Sequence, residues 1–472
     1  MTEGVNPYRA MKDSGVQWLD SVPAHWEVVR AGQLLREVDV RSKTGTETHL
    51  SMSQRLGLVP SSEMEERRLI SESYVGAKLC QLDDLVLNRL KAHLGVFARA
   101  SQPGLVSPDY TVLRPVSREG RIAFLEYVLK SLPCRAELRM RAKGLVEGFW
   151  RLYTDDFYQI KLPVPEQAAI VRFLDHTDRR IRSYIRAKQK LINLLEEQKQ
   201  TIIYGAVTRG LDQHVERKPS GVTFVGDIPA HWRVVALKRV LRRLVDCEHK
   251  TAPAVGTSHY RVVRTSAIRH GRVRWSGTYC TTPEAFSEWT QRAVPEPGDV
   301  IFTREAPVGE ACVVPVDVKV CLGQRTVLMK LRRDEYDPEF LVHMIYAGPP
   351  RIRIQLASQG STVGHFNMDD IGWMHVLAPP LHEQMSIVEE IKRQTSHLRD
   401  AAARAEREIA LLREYRTRLV ADVVTGKLDV RNVCAGLLEE ITEIHPLDEG
   451  EGAADGEEAD EEVQAVAEEA EA

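Results

Sequence analysis

Residues 12–29 read KDSGVQWLDSVPAHWEVV, and residues 218–235 read KPSGVTFVGDIPAHWRVV. The Pro-Ala-His-Trp core is identical in both stretches, and a shared Ser-Gly-Val precedes it at the same distance. Two further pairs of blocks follow in the same order. EQAAIV at 166–171 matches EQMSIV at 383–388, and TRGLD at 208–212 matches TGKLD at 425–429. Because the three blocks recur in one order, the chain is a duplicated unit. Two copies at this long period are too few for a solenoid.

Each copy begins with a long stretch in which short apolar runs are broken by Gly, Pro and Asp. These runs predict strands at 85–87, 111–113, 300–302, 311–314 and 326–329. Other segments predict short helices at 122–130 and 339–346. We therefore expect one mixed α/β globule in each copy.

Each copy then continues into a long helical pattern, whose apolar or neutral residues recur at alternating steps of four and three. In residues 166–204 these positions are Ile170, Leu174, Thr177, Ile181, Tyr184, Lys188, Leu191, Leu195, Gln198 and Ile202. In the second copy they are Ile387, Ile391, Gln394, Leu398, Ala401, Ala405, Glu408, Leu412, Tyr415 and Leu419. Prolines precede both helices, and Gly210 and Gly426 are expected to end them. The spacing predicts an antiparallel coiled coil of the two helices; the alternative is two independent surface helices.

Composition restricts the class of protein. No apolar run is long enough for a membrane span, and the N-terminal residues lack the pattern of a secretion signal. The seven cysteines are scattered and never spaced as CxxC, so neither a disulfide framework nor a zinc site is predicted. We expect a soluble, cytoplasmic protein with reduced thiols in its core.

The net charge of −3 conceals an uneven distribution. Residues 448–472 contain twelve acidic residues and no basic ones, whereas the rest of the chain has 64 Lys and Arg against 55 Asp and Glu. The basic surplus indicates either a polyanionic partner or an ordinary soluble surface. The acidic segment is predicted to be disordered, and it either solubilises the chain or competes for a basic face.

Catalytic motifs are missing from the sequence. It contains no GxxxxGK[ST], no GxGxxG and no Asn/Asp-Pro-Pro-Tyr loop of amino-methyltransferases. His25 and His231 stand beside Trp26 and Trp232 in the repeated motif, which favours packing over general-base chemistry. No catalytic residue and no metal ligand is therefore predicted.

Several stretches together resemble one protein family, the specificity subunits of type I restriction–modification systems. They are the SGVQWLDSVPAHWEVV motif, the run GDVIFTR at 298–304, LGQRTVLMKL at 322–331, LPVPEQAAIV at 162–171 and APPLHEQMSIV at 378–388. The resemblance covers residues 12–430 in the family's order. One departure is that the first copy has Ser107-Pro-Asp-Tyr where the second has its Gly-Gln-Arg run.

The resemblance implies an α+β fold with a pseudo-two-fold internal duplication. Its expected parts are a first target-recognition domain (1–162), a first spacer helix (163–212), a second target-recognition domain (213–378), a second spacer helix (379–430) and an acidic tail (431–472). The two helices would pack as an antiparallel coiled coil that holds the two domains at a fixed distance.

The resemblance also implies the function. Each target-recognition domain would read one half of a bipartite, asymmetric site in double-stranded DNA. Two modification (methyltransferase) subunits would dock on the helices, and restriction (translocase and endonuclease) subunits would complete the complex. The chain itself would be non-catalytic, and S-adenosylmethionine, ATP and magnesium would be bound by the partner subunits.

Candidate DNA-binding residues follow from the chemistry of base and phosphate contacts, since Arg pairs with guanine and Asn or Gln with adenine. Candidate base-reading residues in the two copies are Asn88, Arg89, Lys91, His93, Thr303, Arg304, Gln324 and Arg325. Candidate phosphate-binding residues are Arg135, Arg139, Arg141, Lys143, Arg261, Arg264, Arg269, Arg272 and Arg274. The alternative for each is a solvated surface charge, or, for Gln324 and Arg325, a scaffold role.

Three other functions are compatible with parts of the sequence. A methylation-only complex would use the same specificity subunit without a restriction partner. A coiled-coil adaptor without DNA binding is disfavoured by the basic surplus. A self-sufficient enzyme with a fused methylase would need a further domain, for which no stretch is left over.

Overall fold

The computed structural model describes residues 6–53, 57–63, 74–116, 121–144, 150–165, 167–305, 307–359 and 366–437. Helices make up 42% and strands 25% of the described residues, which is the mixed content of an α+β fold. The described residues within 1–186 and 408–437 form a first compact unit, and those within 187–407 form a second. Both divisions fall inside a long helix. The acidic segment and Glu166 lie outside the described residues, and the predicted disorder of that segment stays a prediction.

The first unit is built from short strands and helices. The strands are β1 (Met11–Asp13), β2 (Ser21–Pro23), β3 (Glu27–Arg30), β4 (Leu35–Glu37), β5 (Leu50–Ser53), β6 (Gly57–Pro60), β7 (Lys78–Cys80), β8 (Leu85–Asn88), β9 (Phe97–Arg99), β10 (Gly104–Val106), β11 (Tyr110–Pro115) and β12 (Lys161–Val164). The short helices are α1 (Ala31–Leu34), α2 (Arg121–Lys130), α3 (Leu132–Arg141) and α4 (Thr154–Tyr158). The predicted strands at 85–87 and 111–113 and the helix at 122–130 are confirmed.

The long helix α5 (Gln167–Arg209) leads from the first unit into the second. The strands that follow are β13 (Arg217–Pro219), β14 (Asp227–Pro229), β15 (Arg233–Ala236), β16 (Leu241–Asp246), β17 (Tyr260–Val263), β18 (Ile268–Arg269), β19 (Arg272–Val273), β20 (Tyr279–Thr281), β21 (Val300–Thr303), β22 (Ala311–Val313), β23 (Lys319–Leu322), β24 (Thr326–Leu331) and β25 (His375–Ala378). The helices are α6 (Pro283–Trp289), α7 (Pro338–Ala347), α8 (Pro349–Gln359), α9 (Met368–Gly372), α10 (Leu381–Val424) and α11 (Arg431–Gly436). The predicted strands and short helix of this copy are confirmed.

The central sheets of the two units have the same topology. One four-stranded antiparallel sheet has the order β4-β11-β8-β9, and the other has the order β16-β24-β21-β22. A buried aspartate precedes the equivalent strand in each unit: Asp84 accepts the backbone N–H of Gln81, and Asp299 accepts that of Glu296. Strand register pairs Thr111 with Leu87 but Thr326 with Thr303. In the structure Thr326 therefore corresponds to Tyr110. The identical TVL sequences at 111–113 and 326–328 would instead pair Thr326 with Thr111, one residue away.

The ends of the long helices pack against the repeated Pro-Ala-His-Trp motifs. Trp26 and Trp232 are fully buried. Gly210 and Gly426 follow the helices with φ of +73° and +77°, in the left-handed region that glycine favours. A Cβ on Gly426 would lie 2.2 Å from Cδ of Pro23, and one on Gly210 would lie 3.2 Å from the indole of Trp232. The predicted helix ends are confirmed, and close packing against Pro23 and Trp232 adds a second requirement for glycine.

Glu383 connects the beginning of α10 to the motif in the second unit. Its carboxylate accepts a hydrogen bond from Nε1 of Trp232 at 3.0 Å and lies 2.8 Å from Nε2 of His231. The neighbouring Gln384 is fully buried and donates to the carbonyls of Glu335 and Pro379. His231 therefore has the scaffold role that the sequence suggests. All seven cysteines are unpaired and buried, as predicted.

The apolar seam expected along α5 is correct at its beginning and wrong in its middle. Ile170, Leu174 and Ile181 are buried, but Tyr184 and Leu191 are 46% and 41% exposed. Further along, Ile203 is the fully packed residue rather than the expected Ile202. The pattern identifies one face of the helix, but burial of that face depends on which neighbouring elements cover it, and at Tyr184 and Leu191 the described residues leave it exposed. In α10 none of the ten expected positions is exposed.

Candidate nucleic-acid interface

In the first unit, the end of β8 carries two candidate base-reading residues that are held by the scaffold. The amide oxygen of Asn88 accepts the backbone N–H groups of Leu90 and Lys91. Nε of Arg89 donates to Oγ1 of Thr111 at 2.6 Å, and its Nη2 donates to Oε1 of Glu37 at 3.0 Å. Arg89 therefore belongs to an ion-pair network, although 30% of its side chain remains exposed.

Glu37 is the centre of that network, although it was not among the residues predicted from the sequence. Its carboxylate accepts the hydroxyl of Thr154 at 2.6 Å and lies 3.5 Å from the ammonium of Lys78, which is almost fully buried. Lys78 in turn donates to the carbonyl of Tyr110. Buried charges of this kind need such partners, so the network is part of the scaffold beneath the surface.

A small cavity of about 120 Å³ opens beside these residues in the first unit. It is lined by Asn88, Arg89, Leu90, Ser107, Asp109, Tyr110 and Arg151. This lining includes both hydrogen-bond donors and acceptors, and a nucleotide edge can be recognised by such groups. Lys91 is exposed next to it, as the predicted role requires.

His93 lies in an aromatic and cationic cluster of the first unit. Its ring is 5.4 Å from the ring of Trp150, and the guanidinium of Arg139 lies 4.7 Å over the same indole. Nε of Arg135 donates to the carbonyl of His93. Burial lowers the pKa of His93, and the charges of Arg139 and Arg135 lower it further. His93 is therefore a partly buried packing residue, whereas Arg139 is exposed and available to phosphates.

The other two candidate phosphate-binding residues of this unit, Arg141 and Lys143, are paired with neighbouring carboxylates. Nε of Arg141 donates to Glu137 one helical turn earlier, and the ammonium of Lys143 lies 2.7 Å from Asp156. The side chain of Lys143 is 67% exposed, so its ion pair is in contact with solvent and exchangeable.

In the second unit, Thr303 and Arg304 do not reach the surface as the sequence suggested. Thr303 is fully buried, and its hydroxyl donates to the carbonyl of Pro307. The guanidinium of Arg304 is 12% exposed and donates to Asp246 at 3.2 Å. Because β21 runs in the middle of the sheet as far as Thr303, neighbouring strands and the loop that follows cover both side chains. Their assignment as base-reading residues is therefore corrected to a scaffold role.

Gln324 and Arg325 occupy the turn before β24 and are both exposed. Arg325 has a φ of +65°, which is uncommon for a residue other than glycine. Its carbonyl accepts the backbone N–H of Arg304, and its guanidinium lies 3.2 Å from Glu305. The amide of Gln324 donates to Thr251. These two residues, rather than Thr303 and Arg304, present donors at this end of the sheet.

The arginine-rich segment of the second unit combines hydrogen-bonded and exposed side chains. Arg261 donates to Thr278, Arg264 to the carbonyl of Gly277, and Arg269 to the carbonyls of Thr265 and Ile268. Arg264 is nevertheless exposed, as are Arg272 and Arg274. Arg261 and Arg269, which are only partly exposed, are the two whose guanidinium groups brace the segment.

Trp275, 40% exposed, was missed by the sequence analysis. It follows Arg274 directly, and the guanidinium of Arg261 lies 5.8 Å from its ring centroid. An aromatic residue directly after two closely spaced arginines was the available signal, since arginine and aromatic side chains form cation–π contacts at nucleic-acid surfaces.

The described ranges contain neither a metal-binding cluster nor a membrane-spanning helix. No group of three or more His, Cys, Asp or Glu side chains in them is arranged to hold a metal ion. Among the helices described, none is long and apolar enough to cross a membrane.

Comparison with known proteins identifies a relative over most of the chain, although no family model matches. The type I restriction enzyme MjaVIII specificity subunit of Methanocaldococcus jannaschii is 21% identical over 426 residues, which are 87% of this chain and 95% of the relative. The chain is therefore similar to a type I specificity subunit over most of its length. The sequence-based resemblance to this family is thereby confirmed.

One solved structure supports a similar fold for this chain. A chain from a study of assembly and conformational transition in a type I restriction–modification system has a TM-score of 0.57 at 16% identity, covering 85% of this chain and 98% of that one. The HsdS subunit from Thermoanaerobacter tengcongensis is 17% identical, with coverage of 86% and 98% and a TM-score of 0.42.

Proposed function

We propose that this chain reads a bipartite, asymmetric DNA site and directs partner subunits to it. The observation that supports this most directly is the pair of sheets with one topology and different side chains at equivalent strand ends. Asn88, Lys91 and Arg139 surround that end in the first unit, and Gln324, Arg325 and Arg272 are exposed in the second. A shared scaffold with unlike donors and acceptors is what recognition of two different half-sites requires.

The long helices are proposed to form an antiparallel coiled coil that sets the distance between the half-sites. Within the first unit, Arg416 of α10 pairs with Asp178 of α5, and Ile170 shares an apolar cluster with Leu419. Within the second unit, Ile203 of α5 shares a cluster with Ile387 of α10. Both sets of contacts are antiparallel in sense, because early residues of one helix meet late residues of the other.

The catalytic work is assigned to the partners. Two modification subunits would dock on α5 and α10, where Tyr184, Leu191, Leu194 and Leu411 are exposed apolar residues. These subunits would bind S-adenosylmethionine and methylate adenine, and restriction subunits would bind ATP and magnesium. The complex would act in the cytoplasm, where the DNA is. This chain would contribute recognition alone.

Sequencing of methylated adenines in genomic DNA, with and without the gene for this chain, tests the proposal. We expect a two-part motif with a constant gap to lose methylation when the gene is deleted and to regain it on complementation. A methylome that is unchanged by the deletion would contradict DNA recognition and favour the adaptor function. Cleavage of unmodified DNA by the assembled complex distinguishes a restricting complex from a methylation-only complex.

A further inference from the structure

The second unit contains a cationic cavity of about 690 Å³. The residues that line it include four cations and one carboxylate, which are Arg233, Lys238, Arg239, Arg332 and Glu335. Trp373 forms one wall and is 55% exposed, and the ammonium of Lys238 lies 3.1 Å from the centroid of its ring. The cavity thus offers an excess of positive charge around an exposed apolar face.

The cationic cavity lies at the opposite end of the sheet from the candidate DNA-reading residues of its unit. At one end, the backbone N–H of Arg332 donates to the carbonyl of Val240; at the other, that of Arg304 donates to the carbonyl of Arg325. Strands β16 and β24 have six residues each, so the two ends are about 17 Å apart. The cavity is therefore separate from the proposed DNA-reading edge.

The described residues of the first unit differ from the second at the positions that line this cavity. In the first unit the backbone N–H of Ala31 donates to the carbonyl of Ile160, and in the second unit that of Leu237 donates to the carbonyl of Met374, both at 2.7 Å. These equivalent hydrogen bonds allow the residues on either side of them to be aligned one by one between the two units. At the aligned positions the first unit has Glu27, Gly32, Gln33 and Gln159 instead of Arg233, Lys238, Arg239 and Trp373. A ligand that occurs once per chain fits such a one-sided site better than a partner present in two copies.

We propose that the acidic segment, residues 448–472 of the same chain, docks in the cationic cavity. The segment occurs once per chain and contains twelve carboxylates and no cation. Its stretch EEVQAVAEE at 461–469 places two valines between pairs of glutamates, which matches an exposed indole surrounded by cations. The 35 residues after Leu437 can extend over about 120 Å, about twice the length of either long helix.

Duplex DNA is the less suitable occupant. A single extended chain can enter a concave cavity, whereas a rigid duplex meets convex or flat surfaces and elements that enter its grooves. Docking would remove the carboxylates of the acidic segment from solution and keep them away from the DNA-reading edge. The attraction is electrostatic, so it should weaken as salt shortens the Debye length from about 10 Å at 0.1 M to about 3 Å at 1 M.

Zero-length carbodiimide cross-linking of the full-length chain, mapped by mass spectrometry, tests the proposal. The reagent joins an amine to a carboxylate only where the two are in contact. We expect a cross-link from Lys238 to a carboxylate within residues 448–472, with a yield that falls about three-fold or more between 0.1 M and 1 M salt. Mixing isotopically labelled and unlabelled chains should show that the link forms within one molecule.

Variants of the full-length chain separate a specific contact from general attraction. Arg233→Gln with Arg239→Gln should lower the yield at Lys238, whereas the matched pair Arg209→Gln with Arg217→Gln, at exposed positions of the same unit, should not. Links spread evenly over exposed lysines, links only between molecules, or a Lys238 link to Glu335 alone would each overturn the proposal. Loss of the link on addition of cognate duplex would show that the cavity is a DNA contact, and would overturn it too.

Discussion

At the scale of single residues, the surface of the second unit shows why a residue type alone does not assign a role. Arg269 and Arg272 face each other across the short hairpin of β18 and β19, but only the Arg269 side chain is held by backbone carbonyls. The guanidinium of Arg269 donates to two backbone carbonyls, at 3.0 and 2.8 Å, and the side chain of Arg272 is exposed. The exposed arginine is the one that can neutralise a phosphate.

Arg272→Gln should weaken binding to all DNA sequences alike, because a phosphate contact carries no base information. The slope of log K against log salt concentration should become shallower by about 0.9, the contribution of one phosphate contact. Fluorescence anisotropy titrations at several salt concentrations measure both effects, with Arg217→Gln as the control. Arg269→Gln should instead lower the free energy of unfolding. A loss confined to one DNA sequence would identify Arg272 as a base-reading residue.

At the scale of elements, the two long helices are held at their ends by contacts between blocks that are remote in the sequence. Trp232 of the repeated motif donates to Glu383 at the beginning of α10, and Gly210 at the end of α5 lies against the same indole. In the first unit Gly426, at the end of α10, lies against Pro23 and Trp26. The conserved order of blocks within the repeat therefore corresponds to a physical junction between helix ends and motif.

Gly426→Ala should destabilise the protein, because the left-handed backbone costs about 1–2 kcal/mol for an alanine and its Cβ would collide with Pro23. Gly205→Ala is the matched control, since Gly205 lies inside α5 with open space where its Cβ would be. That change should raise the free energy of unfolding by about 0.5–1 kcal/mol. Urea denaturation followed by circular dichroism measures both. Equal effects of the two substitutions would contradict the junction at Gly426.

At the scale of the whole molecule, the proposed function treats α5 and α10 as the element that sets the gap in the DNA site. The two helices have 43 and 44 residues, and each contributes to both units. Because each is continuous, a change in helix length should be transmitted as a change in distance rather than absorbed by a loop.

Insertion of seven residues into each long helix, between Arg186 and Ala187 and between Arg407 and Glu408, adds close to two turns and nearly preserves the buried face. The added length is about 10.5 Å, or about three base pairs of B-DNA. The methylome of a strain carrying this variant should show the same half-sites with a longer gap. An insertion in α5 alone should abolish methylation, because the paired faces no longer match. Altered half-sites at an unchanged gap would contradict the model.

The sequence by itself determined the duplication, five of the eight strands of the two central sheets and the two long helices, because these depend on local periodicity and on glycines with special backbone angles. Only the tertiary structure decided which polar residues are accessible. Arg304 and Arg325 look equally suitable in the sequence, but one lies under the sheet edge beside Asp246 and the other is on an exposed turn. The same holds for the seam of α5, where Leu191 was expected to pack and is exposed. Burial depends on which neighbouring elements cover a side chain, so it does not follow from the residues nearby in the sequence.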